Sequence, residues 1–318
     1  MELTLKKYFQ DRKIEGVGEV LSIDFLTNGN SSNHLNYKVV TPNGTYVARV
    51  TKPGDMLSYS NLADEYTILK SVEKYKVGPR ALAIDFEHFE SPLLIEEFID
   101  GTPFSNLHNA DEIVFQRTID LLIQISNINI QREQFPFKYT YTTYKINFKV
   151  WNYRIKEIAK SVGDDHPLVH EFKQVTREVE NILVKKEKLI EGAPVEFIYN
   201  DVHPGNIFWL RQGNDAKFID WQKVSLGDPT FMVGLFARRF GHLWEDGEKF
   251  KVKTLTSYKA KKNIAHFDEL FSSRILVSAV SDMIWIVWAD VKKGTRIDAP
   301  SPDENKYYIE AKKLLSRM

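Results

Sequence analysis

The chain has 318 residues, 43% of them hydrophobic and 27% charged, and its 43 basic side chains equal its 43 acidic ones in number. This composition is typical of a globular protein with a sizeable core and excludes a disordered or fibrous chain. Because the charges balance, no overall field exists that would hold a polyanion, so we expect no nucleic-acid partner. The length favours two domains or one two-lobed domain.

Cysteine is absent from the chain, which excludes disulfides, thiolate nucleophiles and cysteine metal sites. The opening residues MELTLKKYFQDRK contain no apolar core long enough for a signal peptide, so we expect a cytoplasmic protein. The most apolar stretch, ILVSAVSDMIWIVWADV at 275–291, carries Asp282 and Asp290. Carboxylates at these positions favour a buried helix over a membrane span.

The first hundred residues have the pattern of a small antiparallel sheet with one helix. Residues 20–50 alternate apolar and polar side chains in the runs VLSIDFL, NYKVV and TYVARV, which predicts a β-meander. Residues 60–75 place apolar side chains at helical spacing, and the segments ALAIDF and PLLIEEFI predict two further strands. The turn signal DGTP at 100–103 follows the second of these strands.

After residue 100 the pattern becomes mainly helical. Long helices are predicted over 111–130, 145–160 and 168–190, and two short apolar runs, FIYN and AKFID, lie around 197–220. We therefore predict an α+β fold with a small antiparallel β-sheet lobe in residues 1–100, a hinge at about 95–102 and a larger, mainly helical lobe in residues 101–318.

A short loop between two predicted strands carries the side chains with the clearest chemistry. In FIYNDVHPGNIFW, residues 197–209, Asp201 precedes Asn206, and Asp220 ends the next predicted strand. Phosphoryl transfer requires a group that accepts the proton of the attacking hydroxyl and a divalent metal that neutralises phosphate charge. Asp201 is suited to the first role. Asn206 and Asp220 offer the oxygen ligands that Mg²⁺ prefers in proteins.

These motifs resemble a known family signature. The segment YNDVHPGN at 199–206, followed by IDW at 219–221 and GDP at 227–229, is similar to the signature of the aminoglycoside phosphotransferase and choline/ethanolamine kinase superfamily, which contains small-molecule relatives of protein kinases. The resemblance implies a bilobal protein-kinase-like fold, ATP as phosphate donor together with Mg²⁺, and a hydroxyl group of a small, cationic molecule as acceptor. The aspartates and the asparagine named above are then the catalytic residues.

The resemblance extends into the N-terminal half of the chain. The turn TNGNSSNHLNY at 27–37 is similar to the loop that covers the nucleotide phosphates in this superfamily, although it has one glycine where two are common. The resemblance implies that Arg49 binds the phosphates, that Glu65 is its ion-pair partner, and that the segment LLIEEFIDGTP at 93–103 contacts adenine through its backbone. The implied nucleotide-binding residues are Gly29, Asn30, Ser31, Ser32, Arg49, Glu65, Glu96, Glu97 and Phe98.

Three positions depart from the superfamily pattern. Tyr199 stands where a histidine is usual, Gln222 where an acidic residue is common, and Met232 where an aspartate is often found. None of them replaces the expected base or a metal ligand. We expect them to change the support of the catalytic loop and, through it, the rate.

The residues expected to bind the acceptor lie towards the end of the chain. In SDMIWIVWADV, Asp282, Trp285 and Trp288 recur every three residues, so a helix would place a carboxylate and two indole rings along nearly one face. Such a face could hold a cation, and the WxxWA pattern is similar to that of choline and ethanolamine kinases. Trp244 and the acidic residues of 245–248 would line the other side. Core packing of the tryptophans is the alternative interpretation.

Choline or ethanolamine is therefore the first acceptor to test, and an aminoglycoside or another sugar or amino alcohol is the alternative. The sequence disfavours a protein kinase, because GDP at 227–229 follows IDW closely and leaves no room for an activation loop that receives a peptide. A nucleotide-binding regulator without turnover is the non-enzymatic alternative, motivated by Tyr199 and Gln222. The pattern leaves open whether the protein forms a homodimer.

Overall fold

The computed structural model describes residues 1–12, 14–26, 34–51, 62–108, 110–130, 144–244, 247–294 and 305–317. The chain forms two compact units, one made of residues 1–140 with 199–224 and the other of residues 141–198 with 225–318. The predicted division near residue 100 rests on the change in secondary structure, and it stays a prediction.

The described residues form helices and strands, numbered in the order of the sequence. The helices are α1 (Glu2–Asp11), α2 (Leu62–Val72), α3 (Glu112–Ser126), α4 (Tyr144–Val162), α5 (Pro167–Lys185), α6 (Glu187–Glu191), α7 (Thr230–Arg239), α8 (Gly247–Lys261), α9 (Phe267–Lys293) and α10 (Lys306–Leu315). The strands are β1 (Ser22–Leu26), β2 (His34–Thr41), β3 (Gly44–Thr51), β4 (Ala81–Asp85), β5 (Leu93–Glu97), β6 (Gly101–Pro103), β7 (Glu196–Tyr199), β8 (Ile207–Leu210), β9 (Ala216–Phe218) and β10 (Val224–Gly227).

The first unit contains a five-stranded antiparallel sheet in the order β1-β2-β3-β5-β4. The alternating pattern of residues 20–50 produces the predicted meander because alternate side chains of a strand point to opposite faces. Val39, Ala48 and Ile95 are fully buried on the core face. In this register Asn36 of β2 lies opposite Arg49 of β3. Arg49 therefore lies on the middle strand of the five-stranded sheet.

Helix α1 packs on the same core, although the sequence pattern does not predict it. Leu5, Tyr8 and Phe9 are buried with the sheet residues. Arg12, directly after the helix, forms an ion pair with Asp85 at 2.9 Å. The N-terminal helix is therefore attached to the sheet by both apolar packing and charge.

Asp85, at the end of β4, is a buried carboxylate with several donors. It accepts hydrogen bonds from the hydroxyl of Tyr8 at 2.9 Å, from Arg12, and from the backbone N–H groups of Glu87 and His88 at 2.8 and 3.0 Å. Although burial acts in the opposite direction, these donors hold the pKa of Asp85 well below its usual value. Asp85 is thus an ionised, fully satisfied anchor of the N-terminal helix.

A second, three-stranded sheet of the first unit has the order β6-β8-β9. Residues of the predicted DGTP turn form strand β6 instead, because Gly101 pairs with Leu210 of β8. A Cβ atom on Gly101 would lie 2.5 Å from the carbonyl oxygen of Trp209, so only glycine permits this approach. The predicted hinge at about 95–102 therefore runs into strand β6, which is paired with β8.

The second unit is mainly helical around the long apolar helix α9, which contacts α4, α5, α7, α8 and α10. The most apolar 18-residue stretch of α9 is 72% buried inside the protein. By length and composition the helix could cross a membrane, but its burial is that of a core helix, as predicted. Asp228 of the GDP motif accepts the N–H of Thr230, the first residue of α7, and pairs with Arg274 of α9.

The fold class predicted from the sequence is confirmed. An antiparallel N-terminal sheet is followed by a mainly helical part. Strands β7 and β10 form a small two-stranded sheet. The predicted catalytic motif lies between these two strands in the sequence.

Candidate active site

The loop that carries the predicted base follows β7 and ends where β8 begins. His203 turns the chain, because its Nδ1 accepts the N–H of Gly205 at 3.1 Å. The carbonyl oxygen of Asn206 then accepts the N–H of Ile219 at 2.9 Å. Since β8 pairs with β9, this bond places Asn206 and Asp220 at the same end of the strand pair.

Asp201 is held through one of its carboxylate oxygens. Its Oδ2 lies 2.8 Å from Nζ of Lys223 and 3.3 Å from Nδ2 of Asn206, and Nε2 of His203 is 3.9 Å away. Within the part of the chain that the structure describes, Oδ1 accepts no hydrogen bond. A carboxylate fixed at one oxygen and open at the other is suited to accept the proton of a hydroxyl group.

Tyr199 links the two predicted metal ligands. Its hydroxyl accepts a hydrogen bond from Nδ2 of Asn206 at 3.0 Å and donates to the carbonyl oxygen of Ile219 at 2.7 Å. Tyr199 is fully buried, and burial raises the pKa of its hydroxyl well above the usual value. The tyrosine in place of the usual histidine therefore supports the loop. Because these contacts use the amide nitrogen of Asn206, its Oδ1 is left without a donor among the described residues.

Asp220 has a left-handed backbone, with φ of +60°, a conformation in which side chains other than Asn and Asp are rare. Its Oδ1 accepts hydrogen bonds from Nη2 of Arg49 at 3.0 Å and from Gln222. Gln222 also lies 3.1 Å from the ring of His34. Although burial acts in the opposite direction, Arg49 lowers the pKa of Asp220, so the carboxylate is charged. No described residue donates to its Oδ2.

Arg49 of β3 is surrounded by three carboxylates. Its Nη1 lies 2.6 Å from Oε1 of Glu65 on α2 and 3.5 Å from Oε1 of Glu96 on β5, in addition to the contact with Asp220. Glu65 also accepts the backbone N–H of Trp221 at 2.8 Å. The expected pair of Arg49 and Glu65 is thus formed, and it is tied to the IDW segment. We call Arg49, Glu65, Glu96 and Asp220 the arginine cluster.

The charges of the arginine cluster do not balance, because three carboxylates face one guanidinium. Burial raises the pKa of both Glu65 and Glu96, against the opposing effect of Arg49. Oε2 of Glu65, Oε2 of Glu96 and Nε of Arg49 are buried without a hydrogen-bond partner in the described part of the chain. Buried polar atoms of this kind need a ligand, an ion or water to offset their desolvation.

The donor set is suitable for Mg²⁺. Oδ1 of Asn206 and Oδ2 of Asp220 are hard oxygen atoms that receive no protein hydrogen bond from the described residues, and Mg²⁺ typically takes one or two protein ligands, water and phosphate. The described residues contain no group of three or more His, Cys, Asp or Glu side chains that could enclose a metal. The protein would therefore supply only some of the ligands of such an ion, and a bound nucleotide would supply others.

The predicted hinge lies at the end of β5. The N–H of Glu97 donates to the carbonyl oxygen of Arg80 at 2.8 Å, and that of Phe98 donates to Thr45 at 3.2 Å. The N–H of Ile99 makes no such bond to any described residue, so it is an open backbone donor of the segment. The predicted phosphate-loop residues lie outside the described residues: Gly29, Asn30, Ser31 and Ser32.

The residues expected to bind a cationic acceptor lie in the second unit, where their partners are arginines. Asp282 accepts a hydrogen bond from Arg239 at 2.7 Å and also pairs with Arg238. The guanidinium of Arg154 lies 5.2 Å from the ring centre of Trp288. The carboxylate that was expected to attract a cation is therefore already neutralised within the protein.

The other residues predicted to bind the acceptor are partly exposed or make ordinary packing and surface contacts. Trp285 is 42% exposed. Trp244 stacks on Phe250 with ring centres 4.9 Å apart. Glu248 pairs with Lys251 and Arg317, and residues 245 and 246 lie outside the described residues. Nothing in these contacts distinguishes a ligand cage from ordinary packing.

Sequence reasoning missed two features of this site. Lys223 reaches Asp201 because its carbonyl oxygen accepts the N–H of Asn200 at 2.7 Å, which holds residue 223 beside the loop. The carboxylate of Glu96 joins the arginine cluster, whereas only its backbone was expected to take part. An available signal was the glutamate within the apolar run LLIEEF, since a charge in a buried strand needs a partner.

The fold and the motif residues together define a phosphotransferase. The phosphotransferase enzyme family, APH, matches residues 25–249 of the chain. Because this match spans more than half of the sequence, the chain belongs to that family. The predicted superfamily and the predicted enzyme class, a small-molecule phosphotransferase, are confirmed. No curated protein matches the chain.

Several solved structures share the fold. The aminoglycoside phosphotransferase APH(4)-Ia is 16% identical, with a TM-score of 0.67 and coverage of 99% of both chains. The spectinomycin phosphotransferase APH(9)-Ia, in complex with ADP and spectinomycin, is 14% identical, with a TM-score of 0.63 and coverage of 100% of this chain and 94% of that one. An ethanolamine kinase of Plasmodium vivax is 15% identical, with a TM-score of 0.61 and coverage of 93% and 82%. At this level of identity the likeness concerns the fold.

Proposed function

We propose that the protein transfers the terminal phosphoryl group of ATP to a hydroxyl group of a small molecule, with Mg²⁺ as the metal. The observation that carries the proposal is a set of oxygens, on the loop between β7 and β8 and directly after β9, that accept no hydrogen bond from the described residues: Oδ1 of Asp201, Oδ1 of Asn206 and Oδ2 of Asp220. Complexes of similar structures with ADP and an aminoglycoside support the same donor and class of acceptor.

Asp201 would act as the general base. The hydroxyl proton of the acceptor passes to Oδ1, the hydroxyl oxygen forms a bond to the terminal phosphorus, and the bond from that phosphorus to the bridging oxygen breaks with its electron pair left on ADP. Lys223 and Asn206 hold the other carboxylate oxygen, so the accepting oxygen keeps one orientation. Such positioning is a large part of catalysis in phosphoryl transfer.

Asn206 and Asp220 would hold Mg²⁺, which neutralises charge on the phosphate oxygens when bound. Tyr199 fixes the asparagine. Arg49 would contact the phosphates, and its buried Nε is the donor that the carboxylates around it leave unused. The open N–H of Ile99 would donate a hydrogen bond to the adenine edge, because the N–H groups of Glu97 and Phe98 are already engaged.

The acceptor is the finer part of the proposal. Choline or ethanolamine remains the first candidate, supported by the WxxWA pattern and the fold of an ethanolamine kinase. The arginines on Asp282 and over Trp288 remove the main electrostatic reason for preferring it. The alternative acceptors, aminoglycosides and other sugars or amino alcohols, therefore belong in the same test.

The test measures ADP release with MgCl₂ or EDTA and a panel of choline, ethanolamine, spectinomycin, hygromycin B and kanamycin. We expect turnover with at least one acceptor, loss of turnover in EDTA, and a fall of about 10²- to 10⁴-fold in kcat for Asp201→Asn. Asp215→Asn is the matched control, because that carboxylate is 48% exposed in the same unit and pairs only with Arg117 at 2.8 Å among the described side chains.

Two outcomes would change the proposal. Nucleotide binding without turnover on any acceptor would favour the regulator. Full activity of Asp201→Asn would reject the assigned base. If choline is a substrate, Trp288→Ala should raise its KM far more than that of ATP, and an unchanged KM would reject the indole as part of the pocket.

A further inference from the structure

The arginine cluster contains two carboxylates more than the single charge of Arg49 balances, and Glu96 is the more poorly paired of them. Glu65 already binds Nη1 of Arg49 at 2.6 Å and accepts the N–H of Trp221. Glu96 contacts the same nitrogen at 3.5 Å, which is too long for a good hydrogen bond. Its side chain is 6% exposed, and its Oε2 has no partner among the described residues. The free energy cost of burying this third carboxylate is therefore poorly offset within the protein.

The net charge of the cluster is the charge that one divalent cation offsets. With all groups ionised, three carboxylates and one guanidinium leave two negative charges. Arg49 is the phosphate-binding candidate, but its charge is already more than neutralised by Glu65, Glu96 and Asp220. A metal-free nucleotide, which is a polyanion, would meet a negative site. A metal-complexed nucleotide would bring the missing positive charge.

We propose that Glu96 makes nucleotide binding depend on the divalent metal, so that the site discriminates the metal–nucleotide complex from free nucleotide. The inference rests on the proposed function only in requiring that this site binds nucleotide. Glu96 is then a specificity-determining residue that acts through its charge. It does not have to touch the phosphates, because interactions between charges in a buried environment extend over several ångströms with little screening.

Among the acids of the cluster, Glu96 can be tested most cleanly. Glu65 is part of the ion pair, and Asp220 is the proposed metal ligand. Glu96→Gln removes one of the two surplus negative charges, keeps the shape of the side chain and leaves the groups of the 2.6 Å pair of Arg49 and Glu65 in place. Replacing a poorly paired buried charge with a neutral isostere is also compatible with folding.

The experiment is titration calorimetry of the full chain with ADP, which binds without turnover, in MgCl₂ or in EDTA at pH 8.5, where carboxyls with raised pKa values are more fully ionised. For the unchanged protein we expect ADP to bind at least about tenfold more tightly with Mg²⁺, which corresponds to about 1.4 kcal/mol. For Glu96→Gln we expect the ratio to shrink several-fold, because affinity for metal-free ADP rises. Glu96→Met should act in the same direction.

The control is Glu87→Gln, which removes a 78% exposed carboxylate from the same unit and should leave the ratio unchanged. Thermal melts confirm that each variant is folded. If Glu96→Gln and Glu96→Met keep the ratio of the unchanged protein, or lower both affinities equally, the inference is wrong while nucleotide binding stands. If ADP does not bind even with Mg²⁺, the proposed function itself fails.

Discussion

Two groups of buried acids in the first unit behave in opposite ways. Asp85 receives donors from a helix, a turn and an arginine, and they hold its pKa well below the usual value. Glu65 and Glu96 share one guanidinium, each keeps a buried oxygen without a hydrogen-bond partner among the described residues, and both have raised pKa values. The difference teaches that a satisfied buried carboxylate maintains the fold, whereas an undersatisfied one is a candidate for contact with a ligand or ion.

The largest expected effect comes from removing the shared cation. Arg49→Met leaves Glu65 and Glu96 buried without their positive partner, so the free energy of unfolding should fall by about 3–5 kcal/mol, and ADP binding should be lost. Urea denaturation and calorimetry measure the two effects. Arg211→Met is the control, because that side chain is 74% exposed. An unchanged stability would show that the arginine cluster is not held together by charge.

The contribution of Asp85 to the free energy of unfolding should depend on pH. Asp85→Asn removes the charge that Tyr8 and Arg12 bind, so the free energy of unfolding should fall by about 2–3 kcal/mol at pH 7. Because the pKa of Asp85 is lowered by folding, its stabilisation is present above its unfolded pKa of about 3.9 and is lost as the pH falls through the folded value. The difference between the two proteins should therefore shrink below about pH 4.

Urea denaturation at pH 7 and pH 3.5 measures this difference, and kcat should not change at pH 7, since Asp85 is no part of the proposed active site. A stability difference that grows on acidification, or a large loss of kcat, would contradict the purely structural role.

A smaller effect is expected for Lys223, whose ammonium group lies beside the proposed base, Asp201. Lys223→Met should lower kcat about tenfold, or about 1.4 kcal/mol, because Asp201 Oδ2 loses its 2.8 Å partner, while the KM for ATP should change little. Lys223→Arg should retain most of the rate. The control is Lys70→Met, which breaks a surface pair with Glu73. An equal loss in the arginine and methionine variants would argue against a role of charge.

The smallest effect is expected at the tyrosine that replaces the usual histidine. Tyr199→Phe removes the hydroxyl between Asn206 and Ile219, which should cost about 1 kcal/mol in unfolding free energy and raise the Mg²⁺ concentration needed for half-maximal activity. Denaturation and a metal titration of the rate measure these changes. If only stability falls and the metal dependence is unaltered, Tyr199 supports the fold without supporting the asparagine.

Contacts between residues close together in the sequence were predictable, whereas contacts between distant elements were not. The positions of Asn206 and Asp220 were predictable because one strand pair brings them together. The pairing of Arg49 with Glu65 followed from the family resemblance. The arginines that bind Asp282 come from another helix, and helical spacing indicates which residues share a face without indicating what covers that face. The apolar run LLIEEF indicates that the Glu96 side chain is buried, but it does not indicate that its partner is Arg49 of another strand.

The left-handed backbone of Asp220 limits how this position can vary. A glutamate would keep the negative charge, but its longer side chain lacks the local hydrogen bonding that lets Asp and Asn adopt positive φ at low cost. Changes of metal preference engineered at this residue should therefore begin from asparagine, which alters the ligand chemistry and leaves the chain path intact. Loss of activity in a glutamate variant would report backbone geometry as much as ligand identity.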